Sequence, residues 1–225
     1  INTFDLKDSV RRIEAFYDDI LRHDVRPLTL GGDHTLSLPI LRAMAKKHGP
    51  LALLHIDAHA DINSHMFGEE IAHGTPFRRA FEEELLDADQ VFQIGLRGTG
   101  YTAEDFDWAS ERGFQVVQAE QLWHQSAAPL MDQLRQQLGA RPVYLSFDID
   151  SLDPAYAPGT GTPEMGGLTS IQALEIIRGC RGLSLVGADL VEVSPPYDTN
   201  GNTALLAANL LFEMLCVLPG VAYRD

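Results

Sequence analysis

Apolar positions in this chain follow two rhythms. Val10, Ile13, Tyr17, Ile20 and Leu21 recur every three or four residues, the spacing of a helix with one buried face. Elsewhere the apolar residues gather into short, nearly continuous runs: "PLTLGG" (27–32), "LALLHID" (51–57), "VFQIGL" (91–96), "FQVVQA" (114–119), "PVYLSFDID" (142–150) and "LSLVGADLVEV" (183–193). Runs of this kind predict strands covered on both faces. Helical stretches separate them. "SLPILRAMAKKHG" (37–49) stops at Gly49, and "TAEDFDWASERG" (102–113) has Thr102 as cap and Gly113 as stop. "PFRRAFEEELL" (76–86), the region 120–138, "SIQALEIIRGC" (170–180) and "TALLAANLLFEMLCVL" (203–218) complete the set. The last is apolar on nearly every side, so it is deeply buried or lies at an interface.

Strand and helix alternate throughout, which predicts an α/β fold of three layers, α-β-α, around a mainly parallel sheet. No compositional break, repeat or low-complexity tract interrupts residues 1–225, so one domain is expected. "PGTGTPEMGG" (158–167) is a loop between closely spaced elements rather than a linker.

The ends of the runs carry the chemistry. One ends in Asp33 and His34, a second in Asp57, His59 and Asp61, a third in Asp148, Asp150 and Asp153, and a fourth in Glu192. Open parallel sheets bind ligands outside the carboxyl ends of their strands. Residues two apart on an extended chain point the same way. Asp57, His59 and Asp61 can therefore converge, as can Asp148 and Asp150. A single Asp-x-His is commonplace, but three such clusters at strand ends are not. So many carboxylates cannot be packed together unless cations neutralise them. The mixture of oxygen and imidazole donors does not suit a structural zinc site, which prefers Cys and His. It suits a pair of divalent ions, Mn2+ above all, with Mg2+, Co2+ or Ni2+ as alternatives. Such a pair can make a shared water a hydroxide near neutral pH.

Composition narrows the field. The chain has 225 residues, with 32 Asp plus Glu against 17 Lys plus Arg, a net charge of -15. That balance disfavours nucleic acid and anionic membranes as partners. No stretch of these residues reads as a signal peptide, and no apolar run reaches membrane-spanning length. Two cysteines, Cys180 and Cys216, lie outside any CxxC pair and read as buried, reduced thiols of a cytoplasmic protein.

"GGDHT" (31–35), "DAHAD" (57–61), "SFDIDSLDP" (146–154) and "GTGTPEMGGL" (159–168) together resemble the signatures of the ureohydrolase family, which includes arginase, agmatinase and guanidinobutyrase. The resemblance covers essentially the whole chain. Residues 63–80 and 189–220 look most like the guanidinobutyrase and agmatinase branch. It implies an arginase-like fold, two Mn2+ per subunit and hydrolysis of a linear guanidino compound to urea and an amine. 4-Guanidinobutyrate, giving 4-aminobutyrate, is the expected substrate, and agmatine is the alternative. One metal would be held by His34, Asp57, Asp61 and Asp148, the other by Asp57, His59, Asp148 and Asp150. Asp61 would also accept a hydrogen bond from the bridging hydroxide. His73 matches a proton-shuttling histidine, Glu192 the glutamate that grips the guanidinium, and Thr162 a threonine beside it. Asn63 and Met66 lie in the loop 62–72, which is expected to read the far end of the substrate. Gly100 stands where arginase carries the aspartate that reads an α-amino group, which argues against arginine. The family also implies a homotrimer or homohexamer. Its members carry an upstream segment with one or two more strands, and this chain starts after that segment, so a truncated sheet is expected.

Two other classes compete. A non-catalytic metal-binding member of the family would lack a ligand, His73 or Glu192, and none is missing. A deacetylase on a related sheet holds one zinc with fewer ligands. Several remaining residues have structural readings. Asp33 caps the following helix or orients a ligand, Asp153 organises a turn, and His55 is either a core histidine or a support for Asp57. His23, His48 and His124 are solvated, while Trp108 and Trp123 are packing residues.

Overall fold

The computed structural model describes residues 1–100 and 104–222. Its elements, in order, are α1 (Leu6–Ile20), β1 (Leu28–Leu30), α2 (Ser37–His48), β2 (Leu51–Ile56), α3 (Pro76–Glu82), β3 (Leu86–Leu96), α4 (Glu104–Glu111), β4 (Gln115–Gln118), α5 (Ala128–Leu138), β5 (Pro142–Asp148), α6 (Ser170–Gly179), β6 (Ser184–Val191) and α7 (Asn202–Val217). The strands form one six-stranded sheet in the order β1-β6-β5-β2-β3-β4. All five pairings are parallel.

Strand alternation sorts the core into two halves. Ala52, Leu54 and Ile56 of β2 and Val143, Leu145 and Phe147 of β5 pack with α5, α6 and α7. Leu51, Leu53 and Tyr144 face the other way, against residues of α1, α2, α3 and α4 such as Tyr17, Leu41, Phe77 and Trp108. The expected α-β-α layering is therefore present. β2 and β5 are the central strands, and their carboxyl ends carry Asp57 and Asp148 to the middle of one sheet edge.

Local chemistry fixes the ends of these elements. Asp5 caps α1 by accepting the Asp8 N–H, and Thr169 with Gln172 forms a capping box on α6. Gly49 ends α2 in a left-handed conformation, as its sequence suggested. Three boundaries differ from the sequence expectation. The region 120–138 is a 3-10 turn at Ala119–Leu122 followed by α5, because Pro129 starts a helix more readily than it continues one. β3 begins at Leu86 rather than 91, where a second pairing with β2 at Leu51 overrides the polar "DADQ" pattern. The helix after Pro76 ends at Glu82. The proposed Thr102 cap lies outside the described residues. No described helix is long and apolar enough to cross a membrane.

Candidate metal centre and substrate pocket

The four strand ends singled out by sequence meet at one place. His34 follows β1, and its imidazole Nδ1 lies 2.9 Å from Asp61 Oδ2, 3.2 Å from Asp57 Oδ2 and 3.3 Å from Asp148 Oδ2. His59 Nδ1 lies 3.1 Å from Asp150 Oδ2 and 3.5 Å from Asp57 Oδ1. Asp57 thus sits between the two groups. Asp57, Asp61, Asp148, Asp150 and His34 are all buried. All six candidate ligands are brought together.

Two short turns set this geometry. Asp57 Oδ1 accepts the His59 N–H at 2.7 Å, and Asp148 Oδ1 accepts the Asp150 N–H at 2.8 Å, so each first aspartate folds the chain back and aims the third residue of its motif at the same point. Asp61 and Glu192 both have left-handed backbone, with φ of 53° and 64°. Such conformations cost non-glycine residues roughly 1–3 kcal/mol and gather at functional sites.

The electrostatics are those of a cation site. Burial raises the carboxyl pKa values of Asp148 and Asp150. Repulsion adds to it, from Asp150 and Asp57 on Asp148 and from Asp57 on Asp150. Burial also opposes ionisation of Asp57, yet the imidazoles of His55, His34 and His59 hold it well below the usual range. Burial depresses His34, but Asp148, Asp57 and Asp61 together overcome that and hold it well above its ordinary value. His59 is likewise raised against its burial, to about 12, by Asp150 and Asp57. His34 Nδ1 is buried and has no hydrogen-bond partner, although three carboxylate oxygens surround it. An imidazole nitrogen aimed into a ring of carboxylates is a place where a divalent ion fits instead of a proton, and this donor set fits a pair of them.

Above the centre lies a pocket of about 500 Å³, lined by His59, Asp61, Asn63, Met66, His73, Thr162 and Glu192 among others. Glu192 Oε1 accepts the backbone N–H of His34 at 2.8 Å, which leaves its other oxygen for a ligand. Burial pushes the Glu192 carboxyl up to about 7. Thr162 donates to Asp150 Oδ2 at 3.0 Å, and Asn63 donates to the Gly74 carbonyl at 3.0 Å. His73 is half-buried, with its ring 6.1 Å from that of Phe67. Gly100 also lines the pocket. Glu69 and Glu70 do not; Glu69 pairs with Lys7 at 3.3 Å, and Glu70 lies 3.8 Å from His65.

The open readings resolve as follows. His55 is fully buried and supports a ligand: its Nε2 lies 2.7 Å from Asp57 Oδ2, and Gln93 donates to its Nδ1 at 3.0 Å. Asp33 caps by accepting the Thr35 N–H, and Asp153 organises its turn by accepting from Ala155, Gly166 and Gly167. Trp108 packs, but Trp123 is half exposed and donates to the Gly166 carbonyl. Cys180 is buried as expected, whereas Cys216 is only half-buried.

Sequence reasoning overlooked four supporting residues. Arg97 donates to the carbonyls of Gly95, Asp150, Ser151, Leu152, Glu164 and Met165, tying the loops on either side of the site together. A Cβ on Gly98 would overlap the His59 ring, so Gly98 gives that ring its place. Gln93 and Asp189 are fully buried polar residues inside apolar strands, and that interruption was their only signal.

Comparison with known proteins agrees with this geometry. A profile of the Arginase family matches residues 1–216. The chain is 70% identical to guanidinobutyrase of Pseudomonas aeruginosa over 224 residues, which is all of this chain and 70% of that protein. It is 60% identical over 221 residues to the mitochondrial agmatinase of Gallus gallus, covering 98% of this chain and 65% of that protein. The solved proclavaminate amidinohydrolase of Streptomyces clavuligerus superposes with a TM-score of 0.89 at 41% identity, covering 95% of this chain and 72% of that one. The chain belongs to the arginase family.

Proposed function

We propose that this chain is a two-metal hydrolase that cleaves a linear guanidino compound to urea and an amine, with 4-guanidinobutyrate as substrate. The convergence of six His and Asp side chains beneath a pocket bordered by Glu192 carries the reading. His34, Asp57, Asp61 and Asp148 would hold one ion, and Asp57, His59, Asp148 and Asp150 the other. Mn2+ is the metal best matched to this mixed set. Bound there, two such ions supply a nucleophilic water at neutral pH and neutralise the carboxylates.

The protein's own groups do the rest. A guanidinium is planar, cationic and resonance-stabilised, hence a poor electrophile. Glu192 binds it by charge-assisted hydrogen bonds and orients its carbon over the metal centre. Asp61, held in a strained backbone, orients the attacking water. An amine leaves only when protonated, and His73, on the pocket wall, delivers that proton. Thr162 borders the guanidinium end, and Asn63 and Met66 border the tail.

The 70% identity to a guanidinobutyrase supports an acid-tailed substrate. So does the placing of Glu69 and Glu70 away from the pocket. Agmatine is the second reading, favoured by the likeness to an agmatinase and by Glu164, an acid that does line the pocket. The reading includes a homotrimer or homohexamer, as the family resemblance implies, and a cytoplasmic location, as the two unpaired cysteines suggest. Leu205, Phe212 and Leu215 of α7 give it an exposed apolar face of the kind such contacts use.

The test is urea release in Mn2+ from 4-guanidinobutyrate, 3-guanidinopropionate, agmatine and arginine in parallel. Preference for 4-guanidinobutyrate is expected. Preference for arginine would overturn the reading of Gly100, and no urea from any of the four with metal-loaded protein would overturn the enzyme.

A further inference from the structure

One polar row crosses the interior of the sheet directly beneath the site. Thr29 of β1 pairs in register with Asp189 of β6, Asp189 with Ser146 of β5, Ser146 with His55 of β2, and His55 with Gln93 of β3. Asp189, Ser146, His55 and Gln93 are fully buried. Neighbouring levels of these strands are Leu, Ile, Ala and Phe. Buried polar groups without partners are costly, so a whole row implies that each member has a task.

The hydrogen bonds show a direction. Asp189 Oδ2 accepts from the hydroxyls of Ser37 and Tyr144, each at 2.7 Å. Asp189 Oδ1 accepts from Ser146 Oγ at 2.7 Å. The Ser146 proton is thereby committed to Asp189. Its oxygen, 2.8 Å from His34 Nε2, can then only accept. The proton of the neutral His34 ring consequently sits on Nε2, and Nδ1 keeps a bare lone pair. That is the atom which faces Asp57, Asp61 and Asp148 at 3.3 Å or less and has no hydrogen-bond partner.

We infer that Asp189 is a positioning residue for the metal centre, acting through Ser146 to fix His34 in the tautomer and orientation that present Nδ1 to the ion. The inference rests on the two-metal reading given above. Asp189 touches neither ion nor substrate; it lies one hydroxyl and one imidazole away. Outer-shell partners of this sort hold a ligand's ring in place and raise its basicity.

Metal titration of the stripped chain tests this with Mn2+ and Co2+ as probes. Ser146→Ala cuts the link while leaving Asp189 with Ser37 and Tyr144. Ser37→Ala removes a donor from the same carboxyl without touching the link. Ser146→Ala is expected to weaken one of the two ions by about 10–100-fold and to alter the visible bands of the Co2+ form. Ser37→Ala is expected to bind both ions as the unaltered chain does. Ser146→Thr, which keeps the hydroxyl, should restore binding. Nitrogen NMR of the Zn2+-loaded wild-type chain reads the tautomer without any variant, and Nε2 should carry the proton. Equal weakening by Ser37→Ala and Ser146→Ala would make Asp189 merely structural. Wild-type affinities in Ser146→Ala, or a proton on Nδ1, would overturn the inference alone. A wild-type chain that binds no divalent ion would overturn the two-metal reading and this inference with it.

Discussion

Replacing Glu192 by glutamine separates charge from shape in the guanidinium clamp. Glutamine keeps the length of the side chain and an oxygen for the His34 N–H, now bonded to Oε1 at 2.8 Å. The strained backbone at φ 64° and the pocket wall can also persist. What disappears is the negative charge opposite a cationic substrate. Two unit charges about 4 Å apart attract by roughly 4 kcal/mol at an effective dielectric near 20. That dielectric suits a half-buried group whose carboxyl is pushed up to about 7 by burial. The single amide oxygen has a second lone pair, so besides the His34 N–H it still accepts one neutral hydrogen bond from the guanidinium, worth about 1 kcal/mol. The net loss is therefore about 3 kcal/mol, or about two decades in kcat/KM. Steady-state urea release over a range of substrate concentrations measures it, with metal content and thermal unfolding recorded on the same samples. A variant that keeps both ions and its melting temperature but loses about 100-fold supports the clamp. A kcat/KM within about threefold of wild type would refute it. A comparable loss accompanied by loss of metal would relocate Glu192 to the support of His34.

Three further outcomes are expected. Divalent metal should stabilise the stripped chain: at a hundred times Kd each ion contributes about 2.7 kcal/mol, so two raise Tm by roughly 10–20 °C in a chain of this size, reversed by chelator. An unmoved melting curve would remove the cation site. Gly98→Ala should dislodge the His59 ring, which its Cβ would overlap, and cost about 10–100-fold in affinity for one ion while the other is retained; full occupancy of both would show that the ring has other room. The Asp153 carboxyl, despite some burial, is held below its usual range by the N–H groups of Ala155, Gly166 and Gly167. Because its folded pKa is depressed, its contribution is present above the usual carboxylate range and fades as pH falls through and below about 4. Asp153→Asn should flatten the acid limb of a stability-against-pH profile, and an unchanged limb would dismiss the effect.

Much of this was legible in the sequence because a parallel sheet is a simple reader. Runs such as Leu51 to Ile56 carry no helical period, and their buried faces leave only the carboxyl ends for polar groups. Asp57, Asp148 and Glu192 therefore had to emerge at one edge whatever the strand order. Spacing of two then sufficed to bring His59 beside Asp150. The strand order β1-β6-β5-β2-β3-β4 was not legible, since parallel pairing follows from crossovers rather than from any local pattern. For the same reason the row beneath the site was hidden. Gln93, Ser146 and Asp189 are each one polar residue in an apolar run, and they acquire meaning only when the register aligns them with His55. His55 lay on the side of Asp57 by parity alone, but parity could not distinguish a core histidine from a support. The Gln93 bond to its Nδ1 decides this, because an amide that donates there leaves the proton on Nε2, facing Asp57. His34 thus owes its tautomer to Ser146 of β5, and His55 its own to Gln93 of β3. The ligands of this centre are written along the chain, whereas their orientation is written across it.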